Sequence, residues 1–276
     1  MTICIAAICE KGSSVVLATD SMLTNEALSI EFEHPTKKMT RLSDSCIALT
    51  AGDALAHTEL FDIVREEIIK LKAPSAPEIV GKIKECYQRI RKREIKEKIL
   101  NPRGFSDFED FYKAQQVLNP DIVMTIQNQI DNYDYGLEIL VAGRSGNTAH
   151  IYGISDPGTS KCFDAIGFHA IGSGQPHAIN TLIARGCHQD TSLQEALLIV
   201  YEAKKIAEKA PGVGANITDI CIMTPKGIIE FPRNKIDQLH EIYERWLRRE
   251  SNWASDLGAL LKEIGVRNET SKRKGF

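Results

Sequence analysis

The stretch TICIAAICEKGSSVVLATD occupies residues 2–20 and decides the fold. Two apolar runs, at 2–9 and 15–19, flank a polar turn around Gly12, and this pattern predicts a β-hairpin. Further runs at 37–42 and 46–51 predict two more short strands, the second of which is closed by Gly52. Because no helical pattern separates these four strands, they are expected to form an antiparallel sheet.

Helical periodicity begins after this sheet. Over 53–71, apolar residues recur at the spacing of an amphipathic helix. Pro77 can open a second helix with its N-cap at or beside Ser75, and this helix continues into a charged run from Gln88. Acidic residues alternate with basic ones in that run, so we interpret it as a solvated helix face rather than a nucleic-acid site.

Residues 101–136 show neither the alternation of a strand nor the periodicity of the preceding helices. Pro102 and Pro120 interrupt the segment. It is therefore predicted to be an inserted helical segment that packs outside the sheets.

The second half of the chain again places strands before helices. Three strands are predicted at 137–143, 148–155 and 162–168, followed by two helices at 176–185 and 192–210. Two further strands are predicted at 217–223 and 227–231, and a last helix at 235–264. Strand blocks that alternate with helix pairs predict an α+β sandwich of two sheets with helix layers outside them. We expect one sandwich domain over 1–232 and a C-terminal helical extension and tail over 233–276.

Composition excludes several classes of protein. Of 276 residues, 43% are hydrophobic and 26% charged, which is typical of a globular chain rather than a collagen-like or disordered one. The net charge of −3 arises from 34 basic and 37 acidic side chains, so no nucleic-acid or membrane partner is expected. Seven cysteines without a CxxC spacing argue against a disulfide scaffold or a zinc site, and they favour a reducing compartment.

Targeting and cofactor motifs are not found in the sequence. No apolar run reaches the roughly 20 residues that span a bilayer. The N-terminus has neither the basic region nor the cleavage site of a signal peptide, so we expect a cytoplasmic protein. No HExxH, P-loop or GxGxxG motif occurs and the histidines are isolated, so no metal or organic cofactor is predicted.

Four short features could carry chemistry. Thr2 follows a methionine that aminopeptidases usually remove before a small residue. Asp20 ends a predicted strand, Lys38 leads another, and Ser173 lies between two glycines before a helix. A threonine with a free α-amine carries its own base, because the amine can take the hydroxyl proton while the oxygen attacks a carbonyl. Taken singly, however, these residues are more simply a strand residue, a turn, a solvated lysine and a helix-opening turn.

Taken together and in this order, six segments resemble the proteasome β-subunit family of N-terminal nucleophile hydrolases. They are the opening threonine followed by LATDS, KKMTRL, CIALTAGDA, EILVAG, AIGSGQP, and SLQEALLIVYEA followed by ITDICIM. The resemblance extends over residues 2–232. It implies a four-layer αββα sandwich of two antiparallel sheets, which is the fold of that superfamily.

The resemblance also implies a catalytic site. Thr2 would be the nucleophile, with Asp20 and Lys38 as its paired acid and base partners. Gly52 would supply the backbone N–H of an oxyanion hole, and Ser173 would lie near the amine.

The activity implied is that of a threonine-type peptidase on a peptide or protein substrate. The enzyme would assemble as a homo-oligomeric ring, with an ATPase or another ring as partner. Two alternatives remain. One is a small-amide hydrolase of the same fold, because a fold does not determine the substrate. The other is a catalytically inactive structural subunit, since the Asp and Ser that the family places near 209–214 are absent here.

Overall fold

The computed structural model describes residues 2–25, 30–34 and 37–250. Within these ranges the strands are β1 Cys4–Cys9, β2 Ser14–Asp20, β3 Met22–Asn25, β4 Ile30–Glu33, β5 Met39–Ser43, β6 Cys46–Gly52, β7 Leu137–Ser145, β8 Thr148–Ser155, β9 Thr159–Cys162, β10 Phe168–Ile171, β11 Thr218–Thr224 and β12 Gly227–Glu230. The α-helices are α1 Ala54–Ile69, α2 Ala76–Ile95, α3 Phe108–Ala114, α4 Pro120–Asp131, α5 Gln175–Ala184, α6 Leu193–Ala207 and α7 Arg233–Glu250.

Two five-stranded antiparallel sheets form the centre of the fold. The first sheet has the strand order β10-β1-β2-β11-β12, and the second has the order β5-β6-β7-β8-β9. A separate two-stranded ribbon joins β3 and β4. The chain is therefore α+β with two antiparallel sheets, as the sequence predicts.

The two sheets share one buried apolar cluster. Leu17 and Met223 of the first sheet belong to the same cluster as Leu49 and Leu140 of the second. Strand periodicity explains the composition of this cluster, because successive side chains of a strand point to opposite faces. Along β6, Leu49 lies in the shared cluster, whereas Ala48 lies in a second cluster with α1 and α2.

Helices cover the outer faces of both sheets. Phe61 of α1 and Ile83 of α2 are fully buried against alternate residues of the second sheet, among them Val141. On the first sheet, α6 contacts β1 and β2, and α5 contacts β10. This order of layers is compatible with the expected sandwich.

Residues 101–136 lie in α3, α4 and short connecting turns. Phe111 of α3 and Ile126 of α4 are buried together with Leu100, which ends a π-helical turn after α2. Asp107 and Asn119 cap α3 and α4 through their side-chain oxygens. The segment therefore has its own small apolar cluster, and none of its described residues belongs to a strand.

Two details differ from the sequence-based expectations. The strand predicted at 162–168 is instead a turn between β9 and β10, because the N–H groups of Ile166 and Gly167 both donate to the carbonyl of Phe163. Gly167 permits this turn with a φ of 86°. The β3–β4 ribbon was not predicted from its polar sequence.

The chain divides into two compact units, Met1–Phe231 and Pro232–Phe276. In the second unit, the structure describes α7, so the part of the predicted 235–264 helix beyond residue 250 lies outside the described residues, as does the predicted tail. Across the described residues, no helix is both long and apolar enough to cross a membrane.

Candidate active site

The antiparallel pairing of β1 and β2 places Thr2 beside Asp20. Cys4 of β1 lies opposite Thr19 of β2, so the residues before β1 lie next to the end of β2. The N–H of Asp20 donates to the carbonyl of Ile3 over 3.3 Å, which continues this pairing by one residue. Residues 18 positions apart in the sequence are thereby brought into contact.

The Asp20 carboxylate is buried and is surrounded by donors. Its Oδ1 accepts hydrogen bonds from Thr2 Oγ1 at 3.2 Å, from the Ile3 N–H at 3.0 Å and from Lys38 Nζ at 2.9 Å. Its Oδ2 accepts from the N–H groups of Met22 at 3.2 Å and Gly214 at 2.8 Å. Asp20 is 0% exposed, so these bonds replace the water that a carboxylate would otherwise bind.

Lys38 reaches this carboxylate from the other sheet. It precedes β5, and its carbonyl accepts a hydrogen bond from the N–H of Thr50 in β6. Its side chain is 7% exposed and that of Asp20 is 0% exposed, so the ion pair is almost wholly buried between the sheets. A pair in such surroundings is screened by water far less than a surface pair is.

The other side of Thr2 is held by the turn after β10. The backbone N–H of Thr2 donates to Ser173 Oγ at 3.2 Å, and its carbonyl accepts from the Gly174 N–H at 3.2 Å. Gly172 has a φ of 92°, and a Cβ there would lie 2.4 Å from the Thr2 carbonyl oxygen. Glycine is therefore required at 172 for both its backbone conformation and its contact with Thr2.

Thr2 opens onto a cleft of about 550 Å³. Gly52, Gly172 and Ser173 line the same cleft, as does Glu138 of β7. Gly52 has a φ of 108°, and a Cβ there would lie 2.0 Å from the Gly136 carbonyl oxygen. The backbone at 52 thus approaches Gly136, the residue before β7, more closely than a side chain at 52 would allow.

All five residues selected from the sequence lie in one region. Thr2, Asp20 and Lys38 are joined by hydrogen bonds, Ser173 contacts the Thr2 nitrogen, and Gly52 lines the cleft onto which Thr2 opens.

Sequence reasoning missed two parts of this region. Glu138 Oε2 accepts the Gly172 N–H at 2.9 Å, and Gly214 donates to Asp20. Glu138 is a charged residue within the apolar run 137–142 of β7, which is a recognisable signal. The backbone contact of Gly214 leaves no signal of that kind in the sequence.

Cys4 lies close to the site, and its thiol is poorly reactive. Burial raises the pKa of its thiol to about 12, and the nearby Lys38 ammonium acts in the opposite direction. The thiol contacts Thr19 Oγ1 at 3.3 Å and the Thr50 carbonyl at 3.4 Å. Because the thiolate is the nucleophilic form of cysteine, a thiol with a pKa raised in this way is a poor nucleophile.

Among the described residues, no group of three or more His, Cys, Asp or Glu side chains could hold a metal ion. The chain matches no family model and no curated protein.

Proposed function

We propose that this protein is a threonine-type amide hydrolase, in which Thr2 becomes the N-terminal nucleophile once Met1 is removed. One observation carries the proposal: the buried Asp20 carboxylate binds the Thr2 hydroxyl and the Lys38 ammonium through a single oxygen. A buried hydroxyl, carboxylate and ammonium at the edge of a cleft are the groups that a nucleophilic mechanism requires.

The arrangement of layers supports the same proposal. Two antiparallel sheets share a core and carry helices on their outer faces, and Thr2 lies two residues before β1, an inner strand of the first sheet. We propose that this is the αββα sandwich of the N-terminal nucleophile hydrolases and that the chain is a proteasome β-subunit-like member. Ring assembly and a peptide or protein substrate follow from that proposal.

The reaction begins with the free α-amine of Thr2. A free α-amine has a pKa of about 7.7–8.0, so part of it is neutral near pH 7 and can accept a proton. A cationic Lys38 nearby lowers the pKa of that amine, because like charges disfavour each other. The amine takes the hydroxyl proton while Oγ1 attacks the substrate carbonyl carbon and forms a C–O bond.

The tetrahedral intermediate then collapses. The Gly52 N–H, at the cleft wall, would donate to the oxyanion, which is where negative charge develops. The C–N bond of the substrate breaks, the leaving amine takes the proton from the Thr2 ammonium, and an ester of Thr2 remains. Water, deprotonated by the same amine, attacks the ester, releases the acid product and restores the hydroxyl.

The alternative is a catalytically inactive subunit of the same fold. The segment 209–214 brings a backbone N–H, that of Gly214, to Asp20, and its sequence KAPGVG contains neither an Asp nor a Ser. An inactive subunit would keep the buried ion pair for stability alone. Activity measurements separate the two.

The test combines mass spectrometry with hydrolysis of fluorogenic peptides. We expect an intact mass lower by one methionine residue and hydrolysis that is lost in Thr2→Ala. Thr2→Ser is the matched control, because it keeps a hydroxyl and a small second residue and should retain measurable activity. Wild-type turnover by a folded Thr2→Ala variant would exclude Thr2 as the nucleophile, and a wild type inactive on all peptides despite a free Thr2 would favour the inactive subunit.

A further inference from the structure

Helix α6 carries a lysine on its buried face. Ala196, Val200 and Lys204 follow one another at intervals of four residues, which places them on one face of the helix. All three side chains are 0% exposed. A lysine usually extends its ammonium to water, so a fully buried one requires partners inside the protein.

The ammonium of Lys204 has two partners. Nζ donates to Glu208 Oε1 at 2.5 Å and to the carbonyl of Gly214 at 3.0 Å. Burial lowers the pKa of Lys204, and the bond to Glu208 acts in the opposite direction. The lysine thus joins the end of α6 to the segment that leads back to β11.

Gly214 forms the second half of this connection. While its carbonyl accepts from Lys204, its N–H donates to Asp20 Oδ2 at 2.8 Å. A Cβ at 214 would lie 2.8 Å from Glu33 Oε1 and 3.2 Å from Asp20 Oδ2. Since the glycine fits closely against Asp20, a small displacement of residue 214 would move the donor of that carboxylate.

We propose that Lys204 is a positioning residue for catalysis: by holding the Gly214 carbonyl, it keeps the Gly214 N–H on Asp20 and so orients the carboxylate toward Thr2 Oγ1 and Lys38. This inference rests on the proposed function, because it concerns the geometry of the proposed nucleophile. Lys204 donates its hydrogen bonds to Gly214 and Glu208, and its ammonium also interacts electrostatically with Asp20 over a longer distance.

A neighbouring lysine provides a matched control. Lys205 pairs with the same acid, Glu208, at 2.5 Å, and it is partly exposed. A variant of Lys205 therefore removes a cation from Glu208 while the bond from Lys204 to Gly214 remains. If only the charge balance of Glu208 mattered, variants of the two lysines would behave alike.

The experiment measures kcat and KM of Lys204→Met and Lys205→Met on a fluorogenic peptide, well below the unfolding temperature of each variant. For Lys204→Met we expect kcat to fall on the order of 10- to 100-fold, since small displacements of a catalytic group have effects of this size. KM should change little, because substrate contacts are untouched. Lys205→Met should keep kcat near the wild-type value.

A double-mutant cycle tests the route through Gly214. Gly214→Ala perturbs the same contact directly, so combining it with Lys204→Met should cost little more than either change alone. Additive losses would overturn the proposed route, and a folded Lys204→Met with wild-type kcat would overturn the proposal altogether. If Lys204→Met does not fold, the double variant with Glu208→Gln removes both charges of the buried pair. The kcat of this double variant is then compared with that of Glu208→Gln alone, and equal values would overturn the proposal.

Amide hydrogen exchange separates this proposal from the proposed function. The Gly214 N–H should exchange more than about tenfold faster in Lys204→Met than in Lys205→Met, because local opening exposes it. This readout requires no activity. If the wild type hydrolyses no peptide and the two variants still differ in exchange, the proposed function is refuted and the Lys204–Gly214 connection stands. Equal exchange in the two variants would refute the connection.

Discussion

Thr2 Oγ1 and Lys38 Nζ bind the same oxygen atom, Asp20 Oδ1, at 3.2 and 2.9 Å. Thr2 lies before β1 of the first sheet, and Lys38 lies before β5 of the second. The carboxylate therefore couples the hydroxyl to the ammonium across the boundary between the sheets. Two residues that share one buried acceptor should act as a unit, because moving either donor changes the bond to the other.

We therefore expect strong non-additivity between Thr2 and Lys38. Thr2→Ala and Lys38→Ala should each lower peptide hydrolysis on the order of 10³-fold or more, and the double variant should lose little more than either one. Lys37→Ala is the matched control, since Lys37 is exposed and pairs with Glu230 at 2.5 Å. Multiplying losses in the double variant would contradict a shared catalytic unit.

Stability measurements provide the folding control for these single variants. Lys38→Ala leaves the buried Asp20 without its cation, and removing one partner of a buried pair costs roughly 3–5 kcal/mol. Thr2→Ala removes one hydroxyl donor of the buried Asp20 carboxylate and should cost about 1.5–3 kcal/mol. Urea unfolding followed by circular dichroism measures both values and shows whether each variant is folded in the activity assay.

Gly172→Ala should displace Thr2, the proposed nucleophile, because the added Cβ would collide with it as well as strain the backbone at residue 172. A Cβ at 172 would lie 2.4 Å from the Thr2 carbonyl oxygen and 2.9 Å from its Cγ2. Gly104→Ala is the matched control, because Gly104 has a φ of 86° and a Cβ added there would meet nothing within 4 Å. Both variants incur a left-handed backbone penalty of about 1–2 kcal/mol. Only Gly172→Ala should also lose peptide hydrolysis, and equal activity in the two variants would contradict this account.

Much of the fold follows from local sequence patterns. The hairpins β1–β2, β7–β8 and β11–β12 match their predictions within one or two residues, because apolar runs and tight turns are neighbours in sequence. The N-cap predicted at or beside Ser75 lies at Ser75, with Glu78 completing a capping box. The strand order does not follow in this way, since β10 pairs with β1 and β11 with β2 across long stretches of chain.

The residues of the candidate site likewise differ in whether the sequence alone could identify them. Thr2 and Asp20 could be selected from the sequence, because Thr2 follows the first methionine and Asp20 ends a predicted strand. Lys204 could not, because a lysine on a helix normally reaches water, and its burial depends on the segment that folds over the end of α6. Lys204 follows Val200 by four residues, which places it on the apolar face of the helix. This spacing alone does not distinguish a buried lysine from one whose ammonium reaches water.

The proposed ring predicts self-association. Large apolar side chains are exposed on several helices and connections, among them Ile69, Val117 and Ile183 at 81%, 86% and 61% exposure. We expect light scattering at micromolar concentration to give a mass that is a multiple of 30.7 kDa. A monodisperse species of one chain mass would contradict ring assembly.

His169 should make the fold sensitive to acid. Burial lowers its pKa to about 4, and its ring stacks on Phe163 with centroids 3.6 Å apart. An unfolded histidine titrates near pH 6.5. The stability that neutral His169 contributes is therefore complete above about pH 6.5 and is lost as the pH falls toward 4.

Urea unfolding at pH 7 and pH 5 measures this contribution. Between these two pH values, wild type should lose on the order of 1 kcal/mol more unfolding free energy than His169→Gln does, since His169 is only partly buried. His177→Gln, at an exposed position of α5, is the control and should follow wild type. A His169→Gln variant with the wild-type pH dependence would show that this histidine does not titrate on unfolding.

The cleft should favour substrates that carry a positive charge near the scissile bond. Asp134, Glu138 and Asp156 line it, and none of the lining residues in the described part of the chain is basic. Asp156 is paired with Arg91 at 3.0 Å, whereas Glu138 accepts a backbone N–H of Gly172 and is close to Thr2 in the cleft. Asp134 accepts the Gly136 N–H, so Glu138 is the lining carboxylate that contacts the turn beside Thr2, and we expect it to attract a cationic side chain.

Two peptides that differ only in Lys or Glu beside the cleaved bond test this preference. We expect kcat/KM to favour the Lys peptide, and Glu138→Gln to lower the ratio by about fivefold, which is the effect of about 1 kcal/mol from a partly exposed charge pair. Added salt should lower the wild-type ratio as well, because it screens such a pair. Glu66→Gln makes the same charge change at an exposed position of α1 and should leave the ratio unaltered. If Glu138→Gln leaves the ratio unchanged, groups other than Glu138 cause the preference. A wild type that prefers the Glu peptide would contradict the electrostatic account of the cleft.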